Sequence, residues 1–331
     1  EQHHDVAAMR LSERLEILGR FRQLLADYGE PMRIALRVEA GKPAWEAAED
    51  VDAALRYLES VTSKGDKLTQ SLLAPACLGQ GNGKFALLPI GVTAAYIPFS
   101  TPLTSFVIYF SAAMIAGCPL IVNSSSHATL SATLYAKIAE QLDLKPGWLS
   151  FVFGNFNAFK QVMADKRIAA LLYTGSREHC ETIRREAKAQ PGRQVVLQSG
   201  GKNAVIVHSS ADLENAVRCV VYGALKSAGQ RCTSTSRVFV YRSVSEQFRE
   251  RLTEAFKSVA VGRTDVDHAT PEETPFMGPL YSDKAVEKYL RFQTMANREA
   301  EKTMLWGKTV ENGTGGFFVT PSLHYICLLY T

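Results

Sequence analysis

Residues 92–97 read Val-Thr-Ala-Ala-Tyr-Ile and are the first of five short apolar segments that alternate with segments of helical periodicity. The other four segments lie at 120–122, 149–153, 169–173 and 195–197. Continuous apolar strands separated by helices are typical of a parallel sheet that is covered on both faces. The alternation therefore predicts an α/β fold with a doubly wound, Rossmann-like parallel sheet.

Small and polar residues follow each predicted strand, at the carboxyl ends where an open parallel sheet binds its ligands. The candidate ligand-binding segments are 98–102, 123–126, 154–155, 174–176 and 198–202. In Thr174-Gly175-Ser176, a hydroxyl and free backbone amides at the start of a helix can bind a pyrophosphate. Ser176 is equally typical of an ordinary helix N-cap, and Gly200-Gly201 of a tight turn.

Cys232, which follows Arg231, lies between a helix-like run and a strand-like run. A thiol on such a turn can face a cleft, and Arg231 beside it favours the thiolate that acts as a nucleophile. The alternative is a structural cysteine, since free cysteines are among the most buried residues. The sequence predicts a second α/β unit. It consists of strands at 204–207 and 237–241 with a helix between them that begins at Asp212. Cys232 is therefore expected at a boundary between two domains, where ligand-binding clefts occur.

Composition argues against several classes of function. The 331 residues are 46% hydrophobic and 21% charged, as in a soluble globular protein of roughly two domains. The 37 basic and 33 acidic residues leave a net charge of +4 without a long block of like charge, so no nucleic-acid partner is expected. The six cysteines show no paired short spacing. They predict neither a metal site nor a disulfide framework, and they favour a reducing, cytoplasmic location.

The apolar run 106–122 approaches the ~20 residues that a membrane span requires. Gly117-Cys118-Pro119 interrupts this run, so we expect a buried helix followed by a buried strand and no membrane partner. Before the first strand, helical spacing predicts a helix over 11–28 that Gly29 and Pro31 end, and a second helix over 45–58. Residues 62–84 are rich in Ser, Gly, Gln and Asn, and we expect a connection or an oligomerisation arm over 62–90.

Six short motifs follow one another along the chain. They are Pro89-Ile90-Gly91-Val92, Ile97-Pro98-Phe99, Tyr173-Thr174-Gly175-Ser176, Gly200-Gly201-Lys202-Asn203, Ala211-Asp212-Leu213 and Gly229-Gln230-Arg231-Cys232. Their order and approximate spacing resemble the aldehyde dehydrogenase superfamily, over the chain up to about Pro321. Within the superfamily, segments 41–47, 227–232 and 275–279 are most similar to the succinylglutamate-semialdehyde dehydrogenase branch.

The resemblance implies a dinucleotide-binding domain over 1–199 and a catalytic domain over 200–331. The family's later Glu-x-Phe-Gly-Pro segment does not occur after Pro321, so we expect a fragment with an incomplete catalytic domain. The sequence starts without methionine, so residues at that end are expected to be missing as well. A homo-oligomer is expected for the complete protein.

The resemblance also implies a reaction. Cys232 attacks an aldehyde or semialdehyde to give a thiohemiacetal, a hydride passes to NAD or NADP, and water releases the acid from the resulting thioester. Gln198 occupies the position of the family's general-base glutamate, and a neutral amide cannot accept a proton. Ser100 occupies the position of the asparagine that stabilises the oxyanion. Both replacements are expected to impair the reaction.

Further positions are assigned to the cofactor by the same resemblance. Asn123 stands where the family has a lysine, and Ser126 where an acidic residue often selects NAD, so NADP is as reasonable as NAD. Cys180 replaces a glycine of the phosphate turn and is expected to weaken binding. The cofactor-binding positions are Ile97, Pro98, Phe99, Asn123, Ser126, Gly154, Thr174, Gly175, Ser176, Ser199 and Gly200.

Three functions remain open from the sequence. The first is an NAD(P)-dependent aldehyde oxidoreductase with reduced activity. The second is a relative that transfers the acyl group to coenzyme A and does not need the glutamate that activates water, which is compatible with Gln198. The third is a non-catalytic subunit that keeps the fold and has lost the site, as Ser100, Gln198, Asn123 and Cys180 together suggest.

Overall fold

Five strands form one parallel sheet in the computed structural model of this chain. The structure describes residues 8–72, 88–188, 190–268, 270, 273–311 and 315–326. The spatial order of the strands is β3-β2-β1-β4-β5, and every neighbouring pair is parallel. The strands are β1 (Val92–Ile97), β2 (Leu120–Ser124), β3 (Leu149–Val152), β4 (Ile168–Gly175) and β5 (Gln194–Ser199).

Helices connect these strands, as a parallel sheet requires. The connecting helices are α4 (Pro102–Ala116), α5 (Thr129–Gln141), α6 (Phe156–Ala164) and α7 (Arg177–Ala187). The predicted α/β class and doubly wound sheet are confirmed, and all five predicted apolar segments form strands. Aromatic rings fill part of the core, where Tyr96 of β1 stacks on Tyr173 of β4 with ring centroids 5.3 Å apart.

The apolar run at 106–122 forms most of α4 and then the first three residues of β2. Gly117 ends α4 in the left-handed conformation, with φ 69°, which a residue without Cβ adopts at low cost. The prediction of a buried helix followed by a buried strand is confirmed. Within the described residues, no helix is both long and apolar enough to cross a membrane.

Three helices precede the sheet: α1 (Leu11–Asp27), α2 (Gly29–Glu39) and α3 (Ala44–Leu72). As predicted, α1 ends before Gly29, but Gly29 and Pro31 also begin α2. Proline is tolerated in a first helical turn because the amide it lacks has no intrahelical acceptor there.

Residues 62–72 of the segment predicted as a connection or an oligomerisation arm are helical, because α3 continues to Leu72. Gly65 of α3 packs closely on Leu15, and a Cβ at Gly65 would lie 2.6 Å from a Leu15 methyl carbon. Polar composition alone therefore hid a helix that packs against α1. Residues 73–87 lie outside the described residues.

A second group of elements begins after β5. Strands β6 (Asn203–Val207) and β7 (Thr235–Val240) are parallel and are joined through α8 (Leu213–Leu225), which Asp212 caps by accepting the amide N–H groups of Glu214 and Asn215. The remaining elements include two short antiparallel pairs, β8 with β11 and β9 with β10. They are α9 (Ser245–Lys257), α10 (Asp283–Glu299), β8 (Lys302–Leu305), β9 (Thr309–Val310), β10 (Phe318–Val319) and β11 (Leu323–Tyr325).

The chain divides into two compact units. The first comprises Glu1–Ala35 and Ala48–Ser199, and the second comprises Leu36–Ala47 and Gly200–Thr331. Residues 36–47, which the sequence assigned to the first domain, thus belong with the second unit. Hydrogen bonds from Ser227 to the buried carboxylate of Glu46, and from Arg37 to the carbonyls of Thr264 and Val266, are among the contacts that tie this segment to the second unit.

Candidate functional site

The strand order places a topological switch point between β1 and β4. Strands β2 and β3 lie on one side of this point and β5 on the other, which is where open α/β sheets bind ligands at their carboxyl ends. Residues 97–100 end or follow β1, and residues 174–176 end or follow β4. The structure therefore brings together Ile97, Pro98, Phe99, Ser100 and the Thr174-Gly175-Ser176 turn at one edge of the first unit.

Two residues of this turn have structural partners. The Thr174 hydroxyl lies 2.5 Å from the hydroxyl of Tyr109 on α4. Ser176 is the N-cap of α7, and its hydroxyl accepts the His179 amide N–H at 3.3 Å. The first amides of a helix have no intrahelical acceptor, so those of Arg177 and Glu178 keep the capacity to bind a phosphate.

Cys180 does not occupy the exposed end of α7. Its side chain is 1% exposed and packs in a core cluster with Tyr173 and Ile183. The replacement of glycine therefore adds a side chain to the core beneath α7, and the expected weakening of cofactor binding stays a prediction.

His179 and Phe156 form a contact at the starts of α7 and α6 that sequence reasoning missed. Their rings are parallel within 5°, with centroids 3.7 Å apart. The Nδ1 atom of His179 lies 3.2 Å from the Tyr173 hydroxyl. Burial lowers the pKa of His179, so the neutral ring is favoured. The only signal in the sequence was a histidine in the first turn after Ser176.

Asn123 lies inside the protein and not at the exposed edge. Its side chain is 1% exposed, and its amide donates to the carbonyls of Val152 at 2.7 Å and Gly154 at 3.4 Å. This amide therefore holds the end of β2 against the end of β3, and the cofactor contact expected at position 123 stays a prediction. Ser126 is exposed, as expected of a ligand-facing position, and Gly154 adopts φ +147°.

Gln198 and Ser199 end β5 beside Thr174 and Gly175 of β4. Gln198 is exposed and Ser100 is half-buried. Both belong to the first unit, whereas Gly200 and Cys232 belong to the second.

Cys232 lies on a turn before β7 with its side chain partly exposed. Gly201 packs so closely on this turn that a Cβ at Gly201 would overlap the Cys232 carbonyl oxygen. Asn203 donates its side-chain amide to the carbonyls of Cys232 at 2.7 Å and Ser234 at 3.2 Å. The predicted nucleophile is thus held by residues of the Gly200-Gly201-Lys202-Asn203 motif, and Gly200 adopts the left-handed φ of +67° that a tight turn requires.

The backbone before Cys232 is unusual. Ser227, Ala228 and Gly229 are all left-handed, with φ values of 53°, 52° and 71°. This conformation costs a residue with a Cβ roughly 1–2 kcal/mol. Gln230 stabilises the segment, since its side chain donates to the carbonyls of Ser227 at 3.0 Å and Pro279 at 3.3 Å and accepts the Tyr281 amide at 3.0 Å.

The buried carboxylate of Glu46 contacts the same segment and is paired with a buried lysine, and sequence reasoning missed both charges. Lys42 and Glu46 are 0% exposed and form an ion pair of 3.2 Å. The guanidinium of Arg231 lies 3.9 Å from the Glu46 carboxylate, so the positive charge expected to act on the thiol also faces a negative group. The signal in the sequence for this ion pair was the spacing of four positions between the lysine and the glutamate in the segment 41–47.

The chain matches known proteins over nearly its whole length. A family model, described as Aldehyde dehydrogenase family, matches residues 1–326. The chain is 27% identical over 320 residues to 1-pyrroline-5-carboxylate dehydrogenase of Anoxybacillus flavithermus, which covers 94% of this chain and 59% of that protein.

Solved structures agree with this match. The structure is similar to succinate-semialdehyde dehydrogenase from Burkholderia pseudomallei, with a TM-score of 0.85, 26% identity and coverage of 97% of this chain and 64% of that one. A crystal structure of an E. coli NADP-dependent enzyme has a TM-score of 0.85, 25% identity and coverage of 96% and 64%. The chain spans less than two thirds of the length of the curated relatives that it matches, for example 59% and 63%.

Proposed function

This chain belongs to the aldehyde dehydrogenase family, and from that premise we propose that it catalyses the NAD(P)-dependent oxidation of an aldehyde or semialdehyde with Cys232 as the nucleophile. One observation carries the proposal. Gly201 and Asn203 lie against the backbone carbonyl of Cys232, so two of the motifs on which the resemblance depends meet at the residue that carries the thiol.

In the proposed reaction, the Cys232 sulfur forms a bond to the aldehyde carbon, and the carbonyl electron pair moves to oxygen. Collapse of this thiohemiacetal expels a hydride from the same carbon and leaves a thioester on Cys232. A nicotinamide cofactor, when bound, supplies the hydride acceptor. Ser100 holds the family's oxyanion position with a shorter side chain. By analogy, loss of one oxyanion donor lowers the rate by ~10²–10³.

A dinucleotide binds at the switch point of the first unit in this proposal. The first amides of α7 and the Thr174-Gly175-Ser176 turn support a phosphate site there, and the Cys180 side chain is buried below the turn. Ser126 carries no negative charge to repel a 2′-phosphate, so NADP is accepted as well as NAD. Asn123 contributes by positioning Gly154.

Hydrolysis of the thioester, which releases the acid, is the slow step of the proposed reaction. Gln198 cannot remove a proton from water, and general-base catalysis typically contributes ~10²–10⁴ in rate. This exposed, neutral amide favours a second candidate function, in which coenzyme A takes the acyl group from Cys232. A thiol nucleophile does not need the missing carboxylate.

The test is an assay of NADH and NADPH formation with a panel of aldehydes and semialdehydes, with and without coenzyme A. Cys232→Ala should abolish the reaction, whereas Cys219→Ala, at an exposed cysteine of the same unit, should not. A rate that requires coenzyme A would select acyl transfer. Absence of reduction under every condition, or activity that survives Cys232→Ala, would refute both enzyme functions and leave a non-catalytic member of the family. The expected homo-oligomer and cytoplasmic location stay predictions.

A further inference from the structure

Glu46 is fully buried and has contacts to the segment that leads to Cys232. Its carboxylate accepts the Ser227 backbone N–H at 2.9 Å and also a hydrogen bond from the Ser227 hydroxyl. Ser227 is the first of the three left-handed residues before Gln230. A carboxylate that accepts both donors of one residue restricts the orientation of that residue's backbone.

Stability alone is a poor explanation for these buried charges. A buried ion pair is often replaceable by apolar side chains of similar size without loss of stability, because desolvation offsets the Coulombic attraction. Ser227 and Ala228, in contrast, adopt an unfavourable backbone conformation that needs an external restraint. The hydrogen bonds to Glu46 supply that restraint.

Lys42 supplies the charge that balances the Glu46 carboxylate. Its ammonium lies 3.2 Å from Glu46 and neutralises it, so the segment receives a strong acceptor without an added net negative charge. Arg231, at 3.9 Å, faces the same carboxylate from the residue next to Cys232. Glu46 is thus connected to both ends of the segment from Ser227 to Arg231.

We propose that Glu46 is a positioning residue for the nucleophile: it holds Ser227 in the left-handed conformation and thereby fixes the turn that presents the Cys232 thiol. The inference rests on the proposed function only in that it takes Cys232 to be the nucleophile. Lys42 acts as the counter-ion that allows the carboxylate to be buried. Gln230 provides a second, independent restraint on the same segment.

Two matched double variants test this role. Lys42→Met with Glu46→Gln removes both charges but keeps an oxygen that accepts the Ser227 N–H. Lys42→Met with Glu46→Leu makes the same change in charge and removes the acceptor. The measured quantity is the rate of Cys232 alkylation by iodoacetamide, read by mass spectrometry, with the exposed Cys219 in the same molecule as the internal reference.

We expect the Glu46→Gln pair to keep Cys232 alkylation within about 1.5-fold of the unmodified chain, and the Glu46→Leu pair to change it about tenfold or more, as expected for loss of one charge-assisted hydrogen bond. Cys219 should react equally in both. If turnover is measurable, the leucine pair should lower kcat more than it raises KM. Equal Cys232 rates in the two pairs, with circular dichroism showing that both fold, would overturn the proposal.

Ser227→Ala covers the case in which the leucine pair does not fold. It removes only the hydroxyl bond to Glu46, and we expect a change of about threefold in Cys232 alkylation without a change at Cys219. An unchanged Cys232 rate would refute the positioning role. The unmodified chain could reduce no cofactor while the variants still differ in the rate of Cys232 alkylation. That result would refute the proposed oxidation and support the positioning role, so failure of one proposal is distinguishable from failure of the other.

Discussion

The side-chain amide of Asn203 donates a hydrogen bond of 2.7 Å to the backbone carbonyl of Cys232. This bond ties the first residue of β6 to the turn that carries the proposed nucleophile. A second bond from the same amide to Ser234 ties it to the residue just before β7. The orientation of the thiol is therefore sensitive to Asn203, although Asn203 is not assigned a chemical step.

Asn203→Ala should lower the free energy of unfolding by ~1 kcal/mol, because two carbonyls lose a donor at an exposed position. It should also change the rate of Cys232 alkylation. Chemical denaturation measures the first effect and mass spectrometry the second. Asn297→Ala, which removes an exposed amide of α10 in the same unit, is the control and should leave Cys232 unaffected. An Asn203→Ala chain that matches this control in both measurements would contradict the prediction.

Gly200→Ala and Gly201→Ala should differ in their effects. At Gly200 a Cβ meets open space, so the cost is that of the left-handed backbone, ~1 kcal/mol. At Gly201 a Cβ overlaps the Cys232 carbonyl oxygen, so the turn must move. We expect Gly201→Ala to cause the larger loss of unfolding free energy and the larger change in Cys232 alkylation. The reverse order in denaturation experiments would contradict this prediction.

Ser176→Ala should destabilise the first unit by ~0.5–2 kcal/mol, because the hydroxyl that accepts the His179 amide is lost from the N-cap of α7. Ser176→Asp keeps an acceptor at this position and should retain most of the stability. It should nevertheless weaken binding of NAD and NADP, since the added negative charge repels a phosphate. Denaturation and fluorescence titration with the dinucleotides measure the two effects. Equal affinities of the two variants for the dinucleotide would argue against a phosphate at this turn.

The stability of the first unit should fall as the pH drops below about 6.5. Burial lowers the pKa of His179 from its ordinary value of 6.5, so below that value the unfolded chain takes up a proton more readily than the folded chain. His179→Phe, which keeps a ring against Phe156, should reduce this dependence. Unfolding free energies measured from pH 7.5 to 5 give the comparison. Burial also lowers the pKa of His324, but that contribution is common to both proteins. Identical pH dependence in the two chains would refute the role of His179.

Gln198→Glu should increase acid release by ~10²–10⁴ if the missing carboxylate is what limits turnover. The measurement is steady-state NADH or NADPH formation without coenzyme A. Gln194→Glu adds the same charge to an exposed position at the other end of β5 and should not increase the rate. No gain from Gln198→Glu in a chain that forms the thioester would contradict the assignment of position 198.

The strands of the sheet were predictable because each is a short apolar run, and the position of Cys232 on a turn was predictable because helix and strand patterns flank it. Whether a side chain faces the core or the ligand-binding edge could not be predicted from the sequence. Asn123 and Cys180 occupy positions assigned to the cofactor, yet both side chains pack inward, which residue type alone does not reveal. Residues 62–72 looked like a connection because their polar composition hides a helix that packs through Leu15 and Gly65.

Glu46 could not be assigned from the sequence because its partner, Ser227, is 181 positions away. A charged residue in an amphipathic helix is normally assigned to solvent, and only tertiary packing shows that this one is buried. The left-handed backbone at Ser227 and Ala228 was equally hidden, since neither residue type favours that conformation.

The restraints on the Cys232 turn also bear on how the chain folds. The contact from Glu46 joins residues 181 positions apart, and the contact from Gln230 to Tyr281 joins residues 51 positions apart. Contacts between distant residues form late, because the entropy of closing the intervening loops must first be overcome. The turn that carries Cys232 is therefore not expected to reach its native conformation early in folding. The reactivity of the Cys232 thiol should reach its native value only at the end of refolding, and it can serve as a kinetic marker for completion of the second unit.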